Sequence, residues 1–115
     1  MSLKSFYEEI GGGYDRAVSR FPSEEMLEKF VLKYSSEPSR KQLEQAILSG
    51  DMKAAFFAAH TLKGVAQNLG FEHLAEAASV LTEQLRGENA YADCASQAEV
   101  YKAHDEVIRA LSKLQ

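Results

Sequence analysis

Apolar residues recur along this chain at helical intervals almost everywhere, and no run alternates as a half-buried strand does. Leu3, Phe6, Tyr7 and Ile10 form a first stripe, and the glycine run at 11–13 stops it. Tyr14, Ala17, Val18 and Phe21 resume the pattern and end before Pro22. Helices this short are marginal unless they pack on something, so residues 1–22 read as a helical lid on a larger body. Ser23 stands where an N-cap belongs, with Glu24 and Glu25 in the first turn, and Leu27, Phe30, Val31 and Tyr34 make a buried stripe. "SSEPS" interrupts at 35–39, where Pro38 either opens a new helix or kinks a continuing one. Leu43, Ala46 and Ile47 carry the next stripe, ended by Gly50. Asp51 caps the following helix, whose inner face is Ala55, Ala58, Ala59, Leu62, Ala66 and Leu69, and Gly70 breaks it. Phe71, Leu74, Ala78, Leu81 and Leu85 form a stripe ending near Gly87. "GENAYADCAS" reads as a loop, and Val100, Ala103, Val107, Leu111 and Leu114 line the last helix. The sum is an all-α fold: an antiparallel up-and-down four-helix bundle over 23–115, with short N-terminal helices packed on it.

A chain of 115 residues fits one domain, 1–115, and is long enough to bury a core without staples. The single cysteine, Cys94, has no internal partner for a disulfide, which is compatible with a reducing compartment, and it is assigned no role. The net charge is −4 with both signs mixed and no basic run, which argues against nucleic acid and anionic membrane as partners. No apolar stretch spans a bilayer, and the N-terminus carries acids where a signal peptide has apolar residues. These features predict a soluble, cytoplasmic protein, and a monomer is expected because one bundle can close its own core.

The helix at 51–69 holds the one combination that packing does not explain. A helix turns about 100° per residue, so Leu62 lies about 200° around from His60 and Leu69 about 180°. If the leucines face the core, His60 faces outward. Lys53, Phe56, Phe57, Lys63, Gly64 and Gln67 lie within roughly 60° of its direction. A glycine inside a helix costs up to about 1 kcal/mol relative to alanine, and Gly64 clears space one turn after the ring. The two phenylalanines are expected at a boundary, at least one covered by the N-terminal segments. An exposed imidazole is a nucleophile near neutral pH. A phosphoryl group placed on it would pair with Lys63, Gly64 would admit a partner, and the apolar rim would give that partner something to bury.

Other chemistries fit less well. No serine–histidine–acid set stands out, and "GGGY" lacks the lysine of a phosphate-binding loop. His60, His73 and His104 lack metal-ligand spacing, and the His73–Glu76 pair has no second pair to complete a bundle metal site. His73 reads as a first-turn surface residue. His104 reads as a boundary histidine with a local hydrogen bond.

"HTLKG" at 60–64 followed by "NLG" at 68–70 resembles the signature of histidine-containing phosphotransfer (HPt) domains, and the likeness extends over roughly residues 23–113. The resemblance implies a phosphocarrier of a multistep two-component relay, not an enzyme with its own turnover. His60 would accept a phosphoryl group from a receiver-domain aspartate and pass it to another receiver. Lys63 would stabilise the group, Gly64 would give the receiver access, and Lys53, Phe56, Phe57 and Gln67 would form the docking face. Partners would be receiver domains of a hybrid histidine kinase or response regulator, which bring the Mg²⁺ and the aspartate; the domain itself would need no cofactor and no metal. Two alternatives stand beside this reading. One is an isolated phosphoacceptor domain of the chemotaxis-kinase type, whose motif also carries "GF" as at Gly70 and Phe71. The other is a helical interaction module that is never phosphorylated.

Overall fold

Four of the helices in this chain begin where a side chain takes up a free amide of the first turn. Ser2 Oγ accepts from the Ser5 amide and opens α1 (Leu3–Glu9). The glycine run leads into α2 (Tyr14–Ser19). Ser23 Oγ accepts from the Met26 amide and opens α3 (Glu24–Lys33), which tightens into a 3-10 turn over Tyr34–Ser36. The chain continues as α4 (Ser39–Ser49), α5 (Met52–Leu69), α6 (Glu72–Gln84) and α7 (Cys94–Leu114). The structure is a computed structural model that describes residues 1–114, and among them there is no strand.

The ambiguity at Pro38 resolves as a break. Its ring stands just ahead of the first residue of α4, where no intrahelical amide is required, and the preceding turn separates α3 from α4. Cys94 corrects the expected loop, because α7 begins there. Asp93 caps it, with Oδ2 accepting from the Ser96 amide at 3.1 Å.

Gly50 and Gly70 end α4 and α5 in the left-handed region, at φ +77° and +75°. These caps turn the chain back, so that α5 packs against α4, α6 against α5, and α7 against α6. The expected inner face of α5, Ala55, Ala58, Ala59, Leu62, Ala66 and Leu69, is buried throughout. The small residues Ala55, Ala58, Ala59 and Ala66 let the neighbouring helices approach closely, while Leu62 and Leu81 fill the interior.

The N-terminal helices go deeper than a cover. Phe6 and Tyr7 are fully buried and pack at the edge of Phe71, which also meets Tyr34 edge-on at 5.3 Å. The Tyr7 hydroxyl donates to the Leu69 carbonyl at 2.5 Å, and the Gly13 amide donates to the Gly70 carbonyl at 3.0 Å. A Cβ at Gly12 would stand 2.8 Å from the Gly70 carbonyl oxygen, and one at Gly70 would stand 2.8 Å from the Ala17 Cβ. The glycine run is therefore a seam where two backbones meet, as well as a stop to α1. Phe30, expected in the buried stripe of α3, is 41% exposed. It lies tilted against Phe21 under the Lys33 ammonium, on the outer edge of the helix.

His104 also departs from expectation. Its hydrogen bond crosses between elements, with Nδ1 2.8 Å from the Tyr34 hydroxyl. Burial keeps the Tyr34 phenol protonated well above its usual range. Burial, then Arg40, lower the His104 pKa, while Asp105 opposes them. The unfolded chain thus binds a proton at His104 at higher pH than the folded chain does. Stability from this residue is complete above about pH 6.5, the unfolded value, and falls as pH drops towards the lowered folded value. Thermal melts of wild type and His104→Gln should therefore converge as pH is taken from 7 down to 5. A constant difference across that range would contradict this account.

Candidate phosphoacceptor face

Asp51 fixes the start of α5 by accepting from the Ala54 amide at 3.0 Å, and the left-handed Gly70 fixes its end. Between them the rotation of the helix follows from its buried alanines and leucines. Lys53, Phe57, His60, Gly64 and Gln67 come out exposed on the opposite side, with Phe56 and Lys63 half-buried at its edges.

His60 rests on Phe56. The two rings are 15° from parallel with centroids 5.9 Å apart. Among the described residues the imidazole is held by this stacking and by no hydrogen bond, so both ring nitrogens are open to solvent or to a partner. Phe56 in turn meets Phe57 edge-on at 5.7 Å and lies under the Arg86 guanidinium, 5.0 Å from the ring centroid. This corrects the expected cover for the phenylalanines. The N-terminal helices dock at the Leu69–Gly70 end of α5, far along the helix from Phe56, and Arg86 beyond α6 takes that place instead. Phe57 stays 58% exposed. A shallow groove of about 360 Å³ runs beside the two rings, walled by Met52, Lys53, Leu85 and Ala90.

Lys63 and Arg86 bring positive charge to this face. Lys63 lies one turn along, with no carboxylate within ion-pair distance among the described residues. Arg86 Nε donates to Glu83 Oε2 at 2.8 Å. That hydrogen bond and the Arg86 charge hold the Glu83 carboxyl below its usual range, with a smaller contribution from Lys63. Arg86 carries no helical-periodicity signal, because it sits in the connection after α6; only the fold brings it to α5.

Gly64 has an unusual surrounding. A Cβ built there meets nothing within 4 Å, so no neighbour in the fold requires the glycine. The other histidines lie elsewhere. His73 is placed between Glu99 and Glu106 of α7, at 3.9 and 3.5 Å, and His104 is engaged with Tyr34. Among the described residues no three His, Cys, Asp or Glu side chains are grouped to hold a metal ion. Among the described residues no helix is long and apolar enough to cross a membrane.

An exposed imidazole beside a free ammonium and a bare patch of helix is an arrangement for receiving an anionic group from a partner that comes close. No match is found among curated proteins or among solved structures. The family model described as the Hpt domain matches residues 25–115. With most of the chain covered by that match, on an all-helical fold, the protein belongs to the Hpt family, the histidine phosphotransfer domains that act as phosphocarriers with receiver domains in two-component phosphorelays.

Proposed function

We propose that His60 is the phosphoacceptor of this domain, and that it takes its phosphoryl group from the aspartyl phosphate of a receiver and returns it to another. The observation that carries the reading is the exposed His60 ring, stacked flat on Phe56 with Lys63 one turn away. In the forward step an imidazole nitrogen lone pair attacks phosphorus, an N–P bond forms, and the P–O bond to the aspartate breaks. The carboxylate leaves with the bonding electrons, and the other ring N–H loses its proton to water. Catalysis in such a step is mostly alignment and charge stabilisation. Mg²⁺ and the aspartate come with the receiver. This chain supplies the nucleophile, the stack that holds its plane, and the Lys63 ammonium for the phosphoryl oxygens. The whole of 1–115 forms one domain acting as a monomer, since the face around His60 must stay open.

Gly64 serves access. Because its missing side chain fills no internal gap, Gly64→Ala should leave the fold intact and stabilise α5 by up to about 1 kcal/mol. Gly64→Gln should fold as well, yet accept label from a receiver at least about tenfold more slowly, through lost docking. Thermal melts and transfer rates on the two variants check this. A normal transfer rate in Gly64→Gln would remove the role given to the glycine.

The direct test is to incubate the protein with a phosphorylated receiver domain from the same genome and Mg²⁺. Label should appear on the protein and be lost in acid but kept in base, as a phosphoramidate is. No label from any receiver or from a histidine kinase would leave a helical interaction module.

A further inference from the structure

Helices α1 and α2 precede residue 25, where the family match begins, yet they are fastened to the helix that carries His60. Arg20, which closes α2, donates from Nη1 to the backbone carbonyl of Gln67. Gln67 follows His60 by seven residues, so it lies two turns along the same face, about 10 Å away. A guanidinium has several further N–H donors, and Arg20 is exposed. Arg16, one turn earlier on α2, lines the same hollow of about 340 Å³ between α2 and α5. Among the described residues neither arginine has a carboxylate within ion-pair distance. Glu72, on the opposite wall, is the hollow's only acid. The hollow is thus locally positive in a chain whose net charge is −4.

A partner of ordinary size covers roughly 800 Å² on each side, a patch extending about 16 Å from its centre. Any receiver centred on His60 therefore also covers Arg20. We propose that α2 is a selector for that receiver: Arg20, assisted by Arg16, binds a carboxylate on the rim of the docked receiver surface. This rests on the reading of His60 as the phosphoacceptor. The phosphoryl group on His60 lies two turns away, so the arginines act on docking and on choice of partner, leaving the transfer step itself to the groups around the ring. A charge-assisted arginine–carboxylate pair at a rim steers encounter and rejects partners that lack the acid.

The test uses the full chain and a panel of receiver domains from the same genome, each charged with acetyl phosphate and Mg²⁺. Initial rates of label transfer are measured for wild type, Arg16→Glu and Arg20→Glu, at low and at high salt, with a thermal melt of each. Arg20→Glu should slow transfer from the preferred receiver about tenfold at low salt, with a smaller loss at high salt, and should alter the order of receivers. Arg16→Glu should show a loss of the same salt dependence at about a third of the size, and its side chain has no hydrogen bond or ion pair in the fold to confuse the result. If Arg20→Glu slows every receiver equally, independently of salt, or not at all, while Arg16→Glu is silent, the selector is wrong and Arg20 only fastens α2. If wild type takes label from no receiver, the His60 reading fails and the selector fails with it.

Discussion

His60→Gln should abolish phosphoryl acceptance while leaving the domain folded. Glutamine is close in size and keeps polar atoms on the surface, but its amide nitrogen lone pair is delocalised into the carbonyl and does not attack phosphorus. Nothing in the fold depends on the ring beyond its stack on Phe56, so the cost to stability should be no more than about 1 kcal/mol. The other histidines offer no substitute. His73 stands between two carboxylates that repel an incoming phosphoryl donor, and His104 has a nitrogen engaged with Tyr34 in a half-buried position. Acid-labile label from a charged receiver should therefore drop to background in the variant, while its melt stays close to that of wild type. Label of wild-type strength on the folded variant would place the acceptor elsewhere.

Phe71→Ala should have the largest effect on stability. Phe71 is 1% exposed, and its ring is met by Phe6, Tyr7 and Tyr34. Truncating a buried phenylalanine typically costs about 3–5 kcal/mol, from lost burial and from the cavity left behind. Here the cavity opens where α1, the turn after α3 and the start of α6 converge, so little can collapse into it. Native proteins are stable by only about 5–15 kcal/mol, so much of the total is at stake. Chemical denaturation should show the midpoint falling sharply. A shift equivalent to under about 1 kcal/mol would mean that the aromatic junction contributes little. The site itself is distant, so label acceptance should persist at temperatures where the variant remains folded.

The features legible in the sequence are those a single helix decides for itself. The inner face of α5 follows from period alone, and its ends follow from Asp51 and Gly70, because caps and left-handed turns are local chemistry. That face then places His60, Lys63, Gly64 and Gln67 together outside. The features missed are those decided by a second element. Nothing around Pro38 says whether the chain continues or breaks. Phe30 fits the stripe of α3 by spacing, yet finds Phe21 at the rim in place of the core. The cover of Phe56 comes from Arg86, and the partner of His104 from Tyr34, each through contacts that periodicity does not encode. Arg20 escaped notice for the same reason: its position on α5 exists only because the glycine seam holds α2 there.

That seam has a bearing on how the chain reaches its native state. The Tyr7 hydroxyl waits for a carbonyl 62 residues further on. During synthesis the N-terminal helices emerge first, but the surface that buries Phe6 and Tyr7 does not exist until α5 and Phe71 have followed. Two of the largest buried side chains are thus made before the surface that shelters them, and closing so long a loop is slow relative to the helix–helix hairpins that follow it. The growing chain spends that interval with an aromatic pair unprotected.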